Sequence, residues 1–138
     1  MARITRAILL SLMATAASAQ GATPTDTDLR SAYCMAVLKG QIPWVREQVG
    51  ARVDAAPDQA NAKVRAAAQA WVTKLQTAQN RIAAYLQPRL TTLDSAAMLM
   101  AMNRGEADWR EFLAKGVNTD EGTGVRIRAC ADPNWLNL

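Results

Sequence analysis

The stretch from Pro57 to Leu86 most restricts how this chain can fold. It contains no glycine, and it is dominated by alanine and long unbranched side chains, which favour helix. Pro57 suits the first turn of a helix. Pro88 ends the helix, because the residue before a proline avoids helical backbone geometry. The stretch therefore predicts one long helix over about residues 57–86.

Apolar residues of this helix follow a heptad pattern, with alternating steps of four and three residues. They are Val64, Ala68, Trp71, Leu75, Ala78, Ile82 and Tyr85. Such a stripe is typical of a helix that packs lengthwise against another helix. The sequence leaves open whether that partner helix lies in the same chain or in a second one.

The rest of the chain also has mostly helical patterns. A helix is predicted from Thr27 to Gly40, with Asp26 or Thr27 as its cap, and a shorter one begins at Pro43. One bent helix or two helices follow Asp94, which can cap them, and end at Gly116. The alternating segment 125–129 (VRIRA) is typical of extended backbone. These patterns predict an all-α bundle of three to five helices with a non-helical C-terminal tail.

The first 19 residues have the three parts of a secretory signal peptide. Arg3 and Arg6 precede an apolar run, and Ala17-Ser18-Ala19 forms a cleavage site. The run is too short to span a bilayer, which takes about 20 apolar residues. We expect a single domain over 20–138, with a loose leader at 20–26. It would lie in a bacterial periplasm or outside the cell, with no membrane span after cleavage.

The chain has two cysteines, Cys34 and Cys130. In an exported protein such a pair is expected to form a disulfide. Redox pairs usually have the spacing C-x-x-C, which is missing. A zinc site needs three or four ligands, and the chain has no histidine. The predicted bridge ties the C-terminal tail to the first helix.

The lack of histidine also excludes several classes of enzyme. Neither a Ser-His-Asp triad nor an H-E-x-x-H zinc site can form. Removing Arg3 and Arg6 lowers the formal net charge from +4 to +2, and the remaining basic residues are mixed with acids. We therefore expect no enzymatic activity, no cofactor and no binding of nucleic acid.

Acidic and basic residues alternate along the last predicted helix. Glu106, Asp108 and Glu111 are interleaved with cations, and Arg104–Asp108 and Glu111–Lys115 have the spacing of ion pairs along one helix. This pattern predicts a solvated helix face and not a pair of catalytic carboxylates.

Two sets of residues are candidates for binding. Trp44, Arg126, Arg128 and Trp135 would form a partner surface, although Trp135 could instead cover the disulfide. Met98 and Met102 share a helix face and could bind Cu(I), but two thioethers make a poor site without a third ligand, and filling gaps in the core is the favoured interpretation. We expect a non-catalytic binding or structural role, with an unknown protein partner or self-association through the long helix. Periplasmic Cu(I) handling through Met98 and Met102 is the alternative.

The disulfide yields the first testable prediction. Thiol counting on the unreduced protein should find no free thiol, and reduction should release both. Replacing both cysteines by alanine should lower the free energy of unfolding by about 4–5 kcal/mol, because the bridge closes a loop of about 100 residues. Two free thiols in the unreduced protein would contradict the pairing.

Overall fold

The computed structural model describes residues 21–54, 60–116 and 122–138. The signal segment and the predicted helix start at Pro57 lie outside these residues. The described residues form the helices α1 (Asp26–Asp54), α2 (Ala60–Leu86), α3 (Ser95–Lys115), α4 (Thr123–Ala129) and α5 (Pro133–Leu136). The predicted all-α fold is confirmed. Among the described residues, no helix is long and apolar enough to cross a membrane.

Helix α1 is continuous, so the predicted break between Gly40 and Pro43 is wrong. Pro43 lies inside the helix, on its exposed side, although a proline there removes a backbone hydrogen bond. Ile42 and Val45 on either side of it are buried, with 5% and 8% of their surface exposed. Burial of this apolar face offsets the local cost of the proline.

The cap of α1 also differs from the prediction of Asp26 or Thr27. Thr25 Oγ1 accepts a hydrogen bond from the Asp28 amide, and the Asp28 carboxylate accepts one from the Thr25 amide. This reciprocal pair has the arrangement of a capping box. The predicted cap of α3 is confirmed, because Asp94 accepts a hydrogen bond from the Ala96 amide.

The core forms around α1, which packs against both α2 and α3. The side chains of Cys34, Val37 and Leu38 in the middle of α1 are fully buried. From α2, the heptad residues Leu75, Ala78 and Ile82 are buried in the same cluster. The part of the heptad stripe from Leu75 to Ile82 therefore packs within the chain. Val64, near the start of α2, is 45% exposed.

A glycine brings α3 close to α1. Gly105 is buried, and a Cβ placed on it would collide with the backbone carbonyl of Tyr33. Glycine at this position allows one continuous α3 to lie directly against α1. The sequence had left open whether 95–116 forms one helix or two.

The Cys34–Cys130 disulfide is confirmed, with a Cα–Cα distance of 5.2 Å. The prediction of a non-helical tail is wrong, because α4 includes the VRIRA segment and α5 follows it. Gly124, Ile127 and Cys130 are buried and lie three residues apart, which is a helical spacing. Five residues of alternating pattern were too few to distinguish this helix from a strand.

Residues 21–25 do not form the predicted loose leader. Ala22 pairs with Leu93 in an isolated parallel bridge, and the Ala22 amide donates to the Thr92 carbonyl. The Asp94 amide donates to the Ala22 carbonyl in return. This pairing holds the start of α1 beside the turn between α2 and α3.

The Asp28 carboxylate strengthens the same junction. Its side chain is fully buried, and its oxygens accept bonds from Arg89 Nε at 2.7 Å and Arg89 Nη2 at 2.9 Å. The Tyr85 hydroxyl donates to it at 2.9 Å. The Arg89 guanidinium, helped by Thr25 and Tyr85, holds the pKa of Asp28 well below its usual range, although burial opposes this shift.

Two glycine substitutions test the close packing of α1 and α3. Gly105→Ala should destabilise the protein by about 1–3 kcal/mol, as overpacking does, because the α1 backbone must move. Gly50→Ala is the matched control in an open helical position, and it should stabilise the protein by about 0.5–1 kcal/mol. Urea unfolding measures both effects. Equal effects of the two substitutions would contradict the packing.

The Asp28 cluster predicts how stability depends on pH. Because folding lowers the pKa of Asp28, its contribution is complete above the unfolded value of about 3.9 and is lost as the pH falls further. Asp28→Asn should therefore destabilise the protein most at pH 7 and least in acid.

The measurement is the free energy of unfolding in urea from pH 7 down to pH 3. Asp26→Asn, at an exposed carboxylate two residues away, is the control. A difference between wild type and Asp28→Asn that stays constant over this range would contradict the role of the charge.

Candidate binding groove

A groove of about 510 Å³ lies between α1, α3 and the C-terminal helices. We call it the arginine groove, because three of the residues that line it are arginines. Its lining residues are Leu29, Arg30 and Tyr33 of α1, Ala97, Met100, Ala101 and Arg104 of α3, Arg126 of α4 and Trp135 of α5. The groove is therefore assembled from four helices, and its lining combines apolar residues with three arginines.

Arg30 is held at one edge of the groove by Trp135. Arg30 Nη1 donates to the Trp135 carbonyl at 3.2 Å. The guanidinium carbon of Arg30 also lies 5.3 Å from the centre of the Trp135 ring, within the range of a cation–π contact. These contacts fix the guanidinium while most of its hydrogen-bond donors remain available.

Arg126 is held by the Asp108 carboxylate. Its Nε and Nη2 atoms lie 3.1 and 2.9 Å from Asp108 Oδ2, and Nη2 also donates to Thr123 Oγ1. The Tyr33 hydroxyl donates to the same Asp108 oxygen at 2.8 Å. Burial is the main cause that raises the pKa of Tyr33, and the hydrogen bond to Asp108 raises this pKa further, so the Tyr33 hydroxyl remains a donor.

Arg104 supplies the third positive charge. It is exposed, and the described residues include no hydrogen-bond or ion-pair partner for it. The negative charge of Asp108 neutralises the positive charge of Arg126. The groove therefore has an excess of positive charge, which comes from Arg30 and Arg104. Met100, which also lines the groove, has 72% of its surface exposed. The groove thus combines available guanidinium groups with apolar surface, and this combination suits an anionic ligand with an apolar part.

The predicted partner residues do not form one surface. Arg126 and Trp135 meet in the arginine groove. Arg128 lies in a different recess, beside Trp71 of α2. Trp44 packs edge-on against Trp109 at 5.8 Å, about three helical turns from Tyr33 along α1.

The role of Asp108 differs from the one that the sequence pattern predicts. The predicted Arg104–Asp108 pair does not form, because Asp108 is buried and binds Arg126 instead. The predicted Glu111–Lys115 pair is present, at 2.6 Å. Helical spacing in the sequence could have indicated that Asp108 is buried, because Asp108 lies on the same buried face of α3 as Met98 and Gly105. Arg30, Tyr33 and Arg104 carried no such signal, because their proximity depends on how the helices pack.

The methionines separate into two groups. Met98 is buried and Met102 is 38% exposed, and both line a pocket between the three long helices. Met100 points to the arginine groove instead. Among the described residues, no group of three or more His, Cys, Asp or Glu side chains could hold a metal ion.

We compared the chain with known protein families, curated proteins and solved structures. None of the three comparisons finds a significant match. The geometry of the arginine groove is therefore the basis on which a function can be assigned.

Proposed function

We propose that this chain is a small exported binding protein that holds an acidic segment of a partner protein in the arginine groove. The observation that supports this proposal is the convergence of Arg30, Arg104 and Arg126 on one open groove with an aromatic and apolar lining. Guanidinium groups bind carboxylates with two parallel hydrogen bonds, which fixes both position and orientation.

The residue types in the groove favour a protein partner. Arginine, tryptophan, tyrosine and methionine are enriched at the centres of protein interfaces, whereas lysine is depleted. The groove contains all four enriched types and no lysine. Residues that dominate binding energy are also most often tryptophan, tyrosine and arginine.

Two of the three arginines are already ordered without a partner. Asp108 holds Arg126, and the Trp135 carbonyl and ring hold Arg30. Immobilising a long side chain on binding costs free energy, so groups ordered in advance increase affinity. Arg104 has no partner among the described residues. We therefore expect a carboxylate of the partner protein to stabilise Arg104 more than the other two arginines.

The groove is a better candidate for binding than the heptad stripe of the long helix. Leu75, Ala78 and Ile82 of that stripe are buried against the rest of the chain and cannot contact a partner. Self-association through the remaining exposed part, near Val64, is the alternative.

Export of this binding protein is part of the proposal. The buried disulfide is compatible with an oxidising compartment such as the periplasm or the cell exterior. The signal peptide predicted at residues 1–19 would deliver the chain there, and the partner would then be an exported protein as well.

Peptides of opposite charge test the proposal. The probes are a short peptide containing glutamate and leucine and its counterpart with lysine in place of each glutamate. We expect only the acidic peptide to bind, with an affinity that falls as salt rises, because exposed charges are screened. NMR of the tryptophan indole groups is the readout, and the Trp135 signal should shift more than that of Trp71.

Charge reversal in the groove completes this test. Arg104→Glu should abolish binding of the acidic peptide, and Arg65→Glu, at an exposed position on α2, should not. Equal binding by Arg104→Glu and wild type would overturn the proposal, and so would equal binding of both peptides. Binding to phosphatidylglycerol vesicles without binding to the acidic peptide would also overturn it, in favour of a membrane surface.

A further inference from the structure

Three of the four methionines in the described residues line one small pocket. Met35 of α1 joins Met98 and Met102 of α3 around a volume of about 230 Å³. We call it the methionine pocket. Its other lining residues are Ala32, Ala83, Leu86, Gln87 and Leu90. Gln87 is the single polar residue in this lining.

The packing of α1 on α3 brings the three thioethers together. Met98 and Met102 are four residues apart, so they lie on the same face of α3. Met100 lies about 200° away from Met98 around the helix and borders the arginine groove. Met35 comes from α1, which packs on α3. Two thioethers on one helix would form a poor metal site, and α1 supplies a third.

We propose that the methionine pocket binds a monovalent soft cation, Cu(I), through the thioethers of Met35, Met98 and Met102. Thioether sulfur is a soft ligand that prefers Cu(I), whereas Mg²⁺ and Ca²⁺ need oxygen ligands. The metal enters and leaves as Cu(I), so no electron transfer is involved. This proposal is independent of the arginine groove.

The burial of the three residues suits such a site. Met98 is 4% exposed, Met35 is partly buried and Met102 is 38% exposed, so the pocket is open to solvent at one side. An ion near the surface keeps part of its hydration, which limits the cost of placing a charge among apolar groups. Both cysteines are in the disulfide, so no thiolate competes for the metal.

Methyl NMR of the full chain tests the site directly. The probes are Cu(I), kept reduced with ascorbate without oxygen, and Ag(I), which binds the same ligands and does not change oxidation state. The methyl signals of Met35, Met98 and Met102 should shift together and saturate at one ion per chain. The Met100 signal is the internal control and should stay in place.

Leucine variants separate binding from packing. Met35→Leu and Met102→Leu preserve side-chain volume and should fold normally, as circular dichroism would check. Each should lose most of the Ag(I) affinity of the wild type, whereas Met100→Leu should retain it.

Three results would overturn this proposal. The first is Ag(I) binding by Met35→Leu and Met102→Leu that equals binding by the wild type. The second is a shift of the Met100 signal equal to the shifts of the other three. The third is the absence of any methyl shift in the wild type, which would show that the three methionines only fill space. All three results leave the proposal on the arginine groove unaffected.

Discussion

The disulfide between Cys34 and Cys130 is the constraint on which the rest of the arrangement depends. Both cysteines are fully buried, and Cys34 lies in the part of α1 that forms the centre of the core. Helices α4 and α5 have seven and four residues, which is too short for stability in isolation. Their position comes from the covalent bond and from burial of Ile127 and Leu136. Two residues of the arginine groove, Arg126 and Trp135, belong to these helices.

Two buried carboxylates determine which surfaces of the helices meet. Asp28 binds Arg89 and Tyr85, and Asp108 binds Arg126 and Tyr33. A buried carboxylate is costly unless its oxygens have partners, so each aspartate favours the one packing that supplies an arginine and a tyrosine. Asp108 also orients Arg126 in the groove. The same contact therefore serves the fold and the proposed binding site.

Helix α3 separates two surfaces with different chemistry. Arg104 and Met100 lie on the side of the arginine groove, where hydrogen-bond donors and positive charge favour an anion. Met98 and Met102 lie on the side of the methionine pocket, where neutral sulfur favours a soft cation. A helix turns by about 100° per residue, so the alternation of Met98, Met100 and Met102 in sequence places Met100 on the opposite face from Met98 and Met102.

The sequence by itself determined the helical fold class, the cap at Asp94 and the disulfide. The first two depend on residues within a turn of each other, and two cysteines allow only one intramolecular pairing. The tertiary structure decided that α1 continues through Pro43, that the C-terminal segment is helical, and that Asp108 pairs with Arg126. Those features depend on which helix faces meet, and contacts between distant residues override local preferences when enough surface is buried. The same reason explains why Met35 could not be joined to Met98 and Met102 from their spacing.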